Sequence, residues 1–437
     1  MKVLKFGGTS VGSAARIKEV AKLVTEKGKN IIVLSAMSGT TNSLVEISDY
    51  LYKKNTDGAK EVINLLEKKY FTTIDELYDD AKYKEEALTE VKACFNYIRS
   101  FTKDLFTLFE EKEILAQGEL MSTAMMNIYL QMTGVKSVLL PALDYVRTDK
   151  NGEPDIQYIK QKLCALLDKY ADADIYITQG YICRNAYGEV DNLQRGGSDY
   201  SASLIGSAIN AEEIEIWTDI DGMHNNDPRF VEGTKPVDTL HFEEAAELAY
   251  FGAKILHPTC ILPAKLNNIP VRLLNTMKPD AKGTLIYNTP ATCQIKAIAA
   301  KDNITAIKIK SGRMLLAYGF LRKVFEIFET YKTPIDMIAT SEVGVSVSID
   351  NDKNLDNIVD DLKKFGTVTV DSDMVIICVV GDLEWQNKGF EAAAIDALKD
   401  IPVRMISYGG SNYNISLLVR KEDKVKALNL LSERLFK

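Results

Sequence analysis

Apolar residues recur along this chain with two periods, and each period implies an element. Residues 2–6 read as a strand and residues 7–12 as a loop. Residues 13–27 then place Ala14, Ile17, Val20, Ala21 and Val24 three or four apart, the spacing of one helix face. Residues 30–36 are nearly all apolar, as in a strand covered on both faces. The polar turn Ser38-Gly39-Thr40-Thr41-Asn42 follows, and then another helix. Strand, glycine turn, helix, strand is a βαβ unit and predicts a parallel sheet. Residues 44–130 are largely helical in pattern; strands resume at 137–140, 174–179, 214–219 and 270–274.

After about residue 300 the units shorten. Strands are predicted at 304–310, 343–349 and 367–370, with helices at 319–331 and 355–365, and a similar series starts at Met374. Both series contain one tag: Pro334-Ile335-Asp336-Met337-Ile338-Ala339 matches Pro402-Val403-Arg404-Met405-Ile406-Ser407. The same element order around each copy predicts an internal duplication of a βαββαβ module. The expected organisation is an α/β domain over 1–290, one module over 303–370, and a second built from 293–302 and 371–437.

Composition narrows the picture. The 437 residues suit roughly three domains. Hydrophobic content of 46% and charged content of 26% are those of a globular protein with sizeable cores. The net charge of −8 argues against nonspecific nucleic-acid binding. Six cysteines stand singly with no CxxC pair, which predicts buried reduced thiols rather than a zinc or redox site. No metal-ligating cluster stands out. The N-terminus has no signal-peptide pattern, and the longest apolar runs are strand-sized. A soluble, cytoplasmic protein without membrane contact is expected.

Four segments could carry chemistry. In Lys5-Phe6-Gly7-Gly8-Thr9-Ser10 a lysine ends a strand, and two glycines and two hydroxyls lead into a helix. Such a loop lets backbone N–H groups approach an anion beside a helix N-terminus. It could equally be an ordinary tight turn. It fits neither G-x-G-x-x-G nor the P-loop pattern. Arg195-Gly196-Gly197-Ser198-Asp199 precedes a helical stretch; it suits carboxylate binding by the Arg fork, or a structural Arg–Asp pair. Trp217-Thr218-Asp219-Ile220-Asp221-Gly222, followed by Asn226-Asp227-Pro228-Arg229, lies at a strand's C-terminal end, where open α/β sheets bind ligands. A solvated loop is the alternative. In Phe251-Gly252-Ala253-Lys254-Ile255-Leu256-His257-Pro258 the glycine ends a helix and aims Lys254 off it, although a lone surface lysine is common.

Taken together, KFGGTS, LSAMSGTTN at 34–42, QGE at 117–119, RGGSD, WTDIDG…DPR and YFGAKILHP strongly resemble the aspartate kinases of the amino-acid kinase superfamily, in order and over nearly the whole chain. The resemblance implies an amino-acid kinase fold, a mainly parallel sheet sandwiched by helices, followed by two regulatory ACT modules. It implies phosphorylation of the L-aspartate side-chain carboxylate by ATP with Mg²⁺, opening the route to lysine, threonine and methionine. That nucleophile has a reference pKa near ~3.9 and needs no general base. Charge neutralisation and in-line positioning must then do the catalysis.

Residue by residue, the resemblance gives the transferring phosphoryl group to Lys5, with Asp199 orienting that lysine, and the phosphate loop to Gly7, Gly8, Thr9 and Ser10. It gives aspartate to Arg195 and Gly196-Gly197-Ser198, with Glu119 on the α-ammonium and Thr41 and Ser35 as hydrogen-bonding partners. It gives ATP to Thr218, Asp219, Arg229, Lys254 and Ile255. His224 stands where the family commonly has Tyr. An amino-acid effector, lysine ahead of threonine, is implied at Met314, Gly319-Phe320-Leu321, Pro334-Ile335-Asp336 and Ser341, in a homodimer or homotetramer assembled through the ACT modules. Two other readings compete: a sibling kinase acting on a carboxylate such as glutamate, and a catalytically silent amino-acid sensor. Arg195 and Glu119 would suit any α-amino acid. Intact Lys5, Arg195, Asp199 and Lys254 speak against the sensor.

Overall fold

The computed structural model describes residues 1–103, 105–193, 196–252, 256–290, 293–311 and 318–436. The chain divides into two compact units, Met1–Gly222 with Leu256–Asn288, and Met223–Ile255 with Thr289–Lys437. Among the described residues no helix is long and apolar enough to cross a membrane.

The first unit begins with β1 (Lys2–Phe6), α1 (Ala14–Glu26), β2 (Asn30–Leu34) and α2 (Thr40–Tyr52). The helices α3 (Thr56–Leu77), α4 (Ala81–Ser100) and α5 (Leu108–Met132) follow, then β3 (Ser137–Leu139), α6 (Ala142–Tyr145), α7 (Ile156–Lys169) and β4 (Ile175–Gln179). A small antiparallel pair, β5 (Ile182–Arg184) and β6 (Val190–Asn192), leads to α8 (Gly197–Ile209) and β7 (Ile214–Thr218). After β8 (Thr239–His241) and α9 (Phe242–Tyr250), which belong to the second unit, it resumes with α10 (Pro258–Leu266), β9 (Val271–Asn275) and β10 (Thr284–Tyr287).

Within the first unit the sheet runs β3-β4-β2-β1-β7-β9-β10. The pairs from β3 to β9 are parallel and β10 is antiparallel to β9. β1 sits between β2 and β7, with Phe6 opposite Leu34 and Trp217. All five residues of β2 and of β4 are buried, because helices cover both faces. The apolar faces of α1 to α5 close one core with Leu4, Phe6, Ile32, Leu34 and Ile177. Ser13, read as the first residue of the helix, is instead the N-cap of α1, its Oγ accepting from the Arg16 N–H. One charge goes into this core. Glu215 of β7 is 1% exposed and takes Lys2 at 3.0 Å, Lys27 at 2.9 Å and the Trp217 indole N–H at 2.9 Å.

Boundaries shift by a residue or two from the sequence reading in several elements, and two of the shifts lie in the loop after β2. The second strand ends at Leu34, two residues early, where its partner β1 ends at Phe6; the Ser35 N–H makes the last ladder bond, to the Phe6 carbonyl. α2 starts at Thr40, inside the stretch read as a turn, with Gly39 as its N-cap.

The second unit continues with β11 (Ile295–Lys310), α11 (Phe320–Thr330), β12 (Met337–Ser341), β13 (Gly344–Ile349), α12 (Leu355–Lys363) and β14 (Thr367–Gly381). It ends with α13 (Phe390–Ala397), β15 (Met405–Ser407), β16 (Asn414–Arg420) and α14 (Lys424–Phe436). The sheet order is β12-β13-β11-β14-β16-β15, all antiparallel. The short strands expected at 304–310 and 367–370 are parts of β11 and β14, which run on through both modules. The register shifts between Lys301 and Ile304, and Asn303 and Asp373 take φ of 60° and 54° at the two bends. Asn and Asp tolerate this left-handed conformation, so a bulge bends each strand without ending it. One half of each long strand packs with Phe320, Val324 and Ile358; the other packs with Ala394, Leu398 and Leu428. The repeated tag opens the two edge strands: Met337 and Met405 point into the cores, and Ile338 and Ile406 point out.

The thiols are free rather than paired, but burial holds for only half of them: Cys183, Cys260 and Cys378 are buried, Cys94 and Cys164 partly so, and Cys293 is exposed.

Candidate active site

The candidate residues of the first unit gather at the C-terminal ends of β1, β2 and β7, where parallel strands deliver their loops side by side. The Gly7 N–H reaches the Trp217 carbonyl and the Ser38 N–H reaches the Gly8 carbonyl at 3.0 Å, so the loop after β1 is pinned to its neighbours. Gly8 has to be glycine: a Cβ there would lie 2.7 Å from the Ala36 carbonyl oxygen. Ser10 is fully buried and its Oγ hydrogen-bonds Thr276 Oγ1 at 2.7 Å, while Thr9 stays exposed. The Lys5 Nζ is 2.8 Å from Asp199 Oδ1, with the side chains 12% and 17% exposed. Asp199 stands in the first turn of α8, whose N-cap is Gly196. A cation, a glycine loop and a helix start thus share one corner, which suits a phosphoryl group.

Beside it, Ser35 Oγ donates to Ser198 Oγ at 2.9 Å. Ser122 Oγ holds the Ser35 carbonyl at 2.8 Å. Glu119 projects from α5 and is 4% exposed, its Oε1 accepting from the Ala36 N–H at 3.2 Å. Burial pushes its carboxyl up to about 8, against the pull of the backbone N–H groups of Ala36 and of Glu119 itself. Thr41 is exposed in the first turn of α2. Thr218 and Asp219 follow at the end of β7, Thr218 Oγ1 donating to Asp219 Oδ1 at 3.2 Å.

His224 and Arg229 belong to the second unit, where His224 Nδ1 meets Thr234 Oγ1 at 2.9 Å and Arg229 forks onto Asp227 at 2.6 Å. In the first C-terminal module Gly319 caps α11, Phe320 is core, and Leu321, Pro334 and Ser341 are exposed. Ile335 packs against that core. Asp336 opens the edge strand with its side chain 1% exposed, paired with Lys301 at 2.7 Å. Arg195, Lys254, Ile255 and Met314 lie outside the described residues.

Sequence reasoning passed over two residues near the loop. Thr276, which anchors Ser10, follows the end of β9, and its place at a strand's C-terminal end was the available signal. Lys69 of α3 donates to the Ser38 carbonyl. Nothing local marks it, since it lies in a helix full of lysines.

An amino acid kinase family model matches residues 1–275, and an ACT domain model matches residues 377–435. Aspartokinase 1, chloroplastic, of Arabidopsis thaliana is 35% identical over 456 residues, which is 99% of this chain and 80% of that one. The structure of Escherichia coli aspartokinase III in complex with aspartate and ADP (R-state) aligns over 100% of both chains at 31% identity, TM-score 0.83. Its complex with lysine and aspartate (T-state) does so at 32% identity and TM-score 0.83. The chain belongs to the aspartokinases, and ATP is its phosphoryl donor.

Proposed function

We propose that this chain transfers the γ-phosphoryl group of ATP to the side-chain carboxylate of L-aspartate through Lys5, and that its C-terminal modules report an end-product amino acid to that site. The Lys5–Asp199 pair beside the Gly7-Gly8 loop carries the reading. The nucleophile is already an anion, so Asp199 has no proton to remove. It fixes the Lys5 ammonium, which together with the loop amides offsets charge gathering on the transferred group. Arg195 takes the α-carboxylate, Glu119 the α-ammonium, and Ser35, Thr41 and Ser198 close the polar lining. Thr218, Asp219, His224, Arg229, Lys254 and Ile255 serve the nucleotide. Mg²⁺, which needs only one or two carboxylates besides phosphate oxygens, would find oxygen donors in Asp199 and Asp219 and would neutralise the β- and γ-phosphates.

The catalytic part spans residues 1–290, and the regulatory modules span 303–370 and 293–302 with 371–437. Lysine, ahead of threonine, is the effector, supported by the lysine complex of the E. coli relative and by the buried carboxylate of Asp336. The modules assemble a cytoplasmic homodimer or homotetramer; the exposed Ile338 and Ile406 on the two sheet edges support pairing there.

The test is an ATP-dependent hydroxamate assay with aspartate, glutamate and N-acetylglutamate. Aspartate gives the trapped acyl phosphate. Lys5→Ala loses about 10²–10³ in kcat while the protein stays folded. Near-normal turnover of the folded variant sinks the assignment.

A further inference from the structure

The carboxylate expected to receive the effector already carries a cation. Lys301 Nζ lies 2.7 Å from Asp336 Oδ1 and 2.9 Å from Asp350 Oδ2. Tyr250 donates its hydroxyl to the same Asp336 oxygen at 3.1 Å, and the Lys301 ammonium sits 4.5 Å from the centre of the Tyr250 ring. Asp336 Oδ1 therefore has two donors. Asp336 Oδ2 is buried and has no hydrogen-bond partner among the described residues. A carboxylate offers about four acceptor positions, so half of this one is unused in a place water does not reach. Burial keeps the Asp336 carboxyl above its usual range even with Lys301 against it. One ammonium does not meet the demand of this group.

We propose that Lys301 is an internal competitor for the effector: an ammonium ligand enters on Asp336 Oδ2, drives Lys301 across to Asp350, and so removes the cation that holds Tyr250. The proposal rests on the reading of Asp336 as the effector carboxylate. Two ammonium groups on one buried carboxylate repel. Lys301 has a ready exit, because Asp350 is already in contact and 38% exposed. Two positions of one side chain, each with a partner, make the two-state element that regulation requires.

The element has an output. Tyr250 is the last residue of α9, and two residues on Gly252 takes φ of 117° against β11. Any side chain at Gly252 would collide with the carbonyl of Ala300, the residue before Lys301. The end of α9 thus grips Ala300 and Lys301 from both sides. In sequence it leads directly into Ala253-Lys254-Ile255, the segment assigned to ATP.

The experiment is calorimetric titration of the full chain with L-lysine, with the ATP KM measured with and without lysine. Lys301→Met removes the competitor, and lysine then binds about fivefold tighter or more. Asp350→Asn, at an exposed position, removes the refuge for the displaced ammonium, and lysine then binds about fivefold more weakly. A merely structural role would not move the two variants in opposite directions. Tyr250→Leu, which removes the ring that the Lys301 ammonium holds, still binds lysine, but lysine no longer shifts the ATP KM. Unchanged affinity in either Lys301→Met or Asp350→Asn overturns the competition, as does a shift opposite to the one stated. A full lysine effect on ATP KM in Tyr250→Leu overturns the coupling. Asp336→Asn separates the two layers. If it loses lysine binding while Lys301→Met changes nothing, only the competition falls. If it binds lysine as the wild type does, the effector reading falls and the competition with it.

Discussion

Glu119 and Asp336 are both buried carboxylates, and each is assigned the ammonium group of an amino acid. The protein prepares them differently. Glu119 is met by backbone N–H groups, that of Ala36 at 3.2 Å, and burial lifts its carboxyl to about 8. Asp336 meets Lys301 and Tyr250. Among the described residues no cation pairs with Glu119, and the substrate's own ammonium is the one proposed to complete it. The second is provisionally completed from within, so an effector has to displace something. A substrate site gains from unmet demand, because binding is then driven by the group the enzyme must recognise. A sensor that answers to accumulated end product gains from an internal occupant, which sets its threshold.

The contrast can be broken at Glu119 first. Glu119→Gln raises the aspartate KM on the order of 100-fold, the cost of removing one partner from a buried charged pair, with a much smaller change in ATP KM. Steady-state kinetics with each substrate varied in turn decides it; equal shifts in both make Glu119 structural. The carboxyl also binds its proton more tightly in the folded protein than at its ordinary value of 4.5. Its contribution to stability is therefore fully present below pH 4.5 and is lost as pH rises through about 8, at up to about 1.4 kcal/mol per pH unit. Melting curves of the ligand-free protein between pH 5 and 8 show this slope, and Glu119→Gln flattens it. Aspartate binding near pH 7 restores the carboxylate and releases a proton, which calorimetry in buffers of different ionisation enthalpy reads directly.

On the regulatory side, Ser341→Phe puts a ring where the β12–β13 turn presents a hydroxyl to the Gly344 carbonyl. It raises the half-inhibitory lysine concentration about tenfold, measured as the ratio of rates with and without lysine. An unchanged ratio removes Ser341 from the effector site.

The smallest effect sharpens the contrast between the duplicated modules. Where the first has Lys301 on β11 and Asp336 at the start of its edge strand, the second has Asp371 on β14 and Arg404 at the start of its own, with the signs exchanged. Asp371 and Arg404 meet at 2.8 Å but are 45% and 27% exposed, and they line an open groove of about 810 Å³. Arg404→Ala should cost under about 1 kcal/mol and leave lysine inhibition alone. Asp336→Ala, which strips Lys301 of a buried partner, should cost about 2 kcal/mol. Hydrogen exchange of the β12 and β15 amides compares the two locally. Relief of lysine inhibition by Arg404→Ala would move the effector to the second module.

Much of this was legible in the residues. The 3.6 period of residues 13–27 located α1, though not its Ser13 cap, and the unbroken apolar runs located β2 and the parallel sheet, because burial on one face or two leaves a direct imprint on side-chain type. The repeated tag revealed the duplication but not that each copy leads into an edge strand, β12 and β15, which the sequence reading did not place. The continuity of β11 and β14 was not legible. Asn303 and Asp373 look like turn residues, and only pairing between the two long strands carries the chain through those bends.

By itself, then, the sequence determined the fold class, the family and the residue types of the catalytic corner, because these depend on local periodicity and on motifs whose members lie close along the chain. The tertiary structure alone decided what each charged group meets. Lys5 finds Asp199, Glu119 finds the Ala36 N–H, and Asp336 finds Lys301 and Tyr250. Partners so far apart in the chain are chosen by how strands and helices pack. Burial then sets how strongly each charge is felt, because a low-dielectric surrounding magnifies both a pairing and its absence.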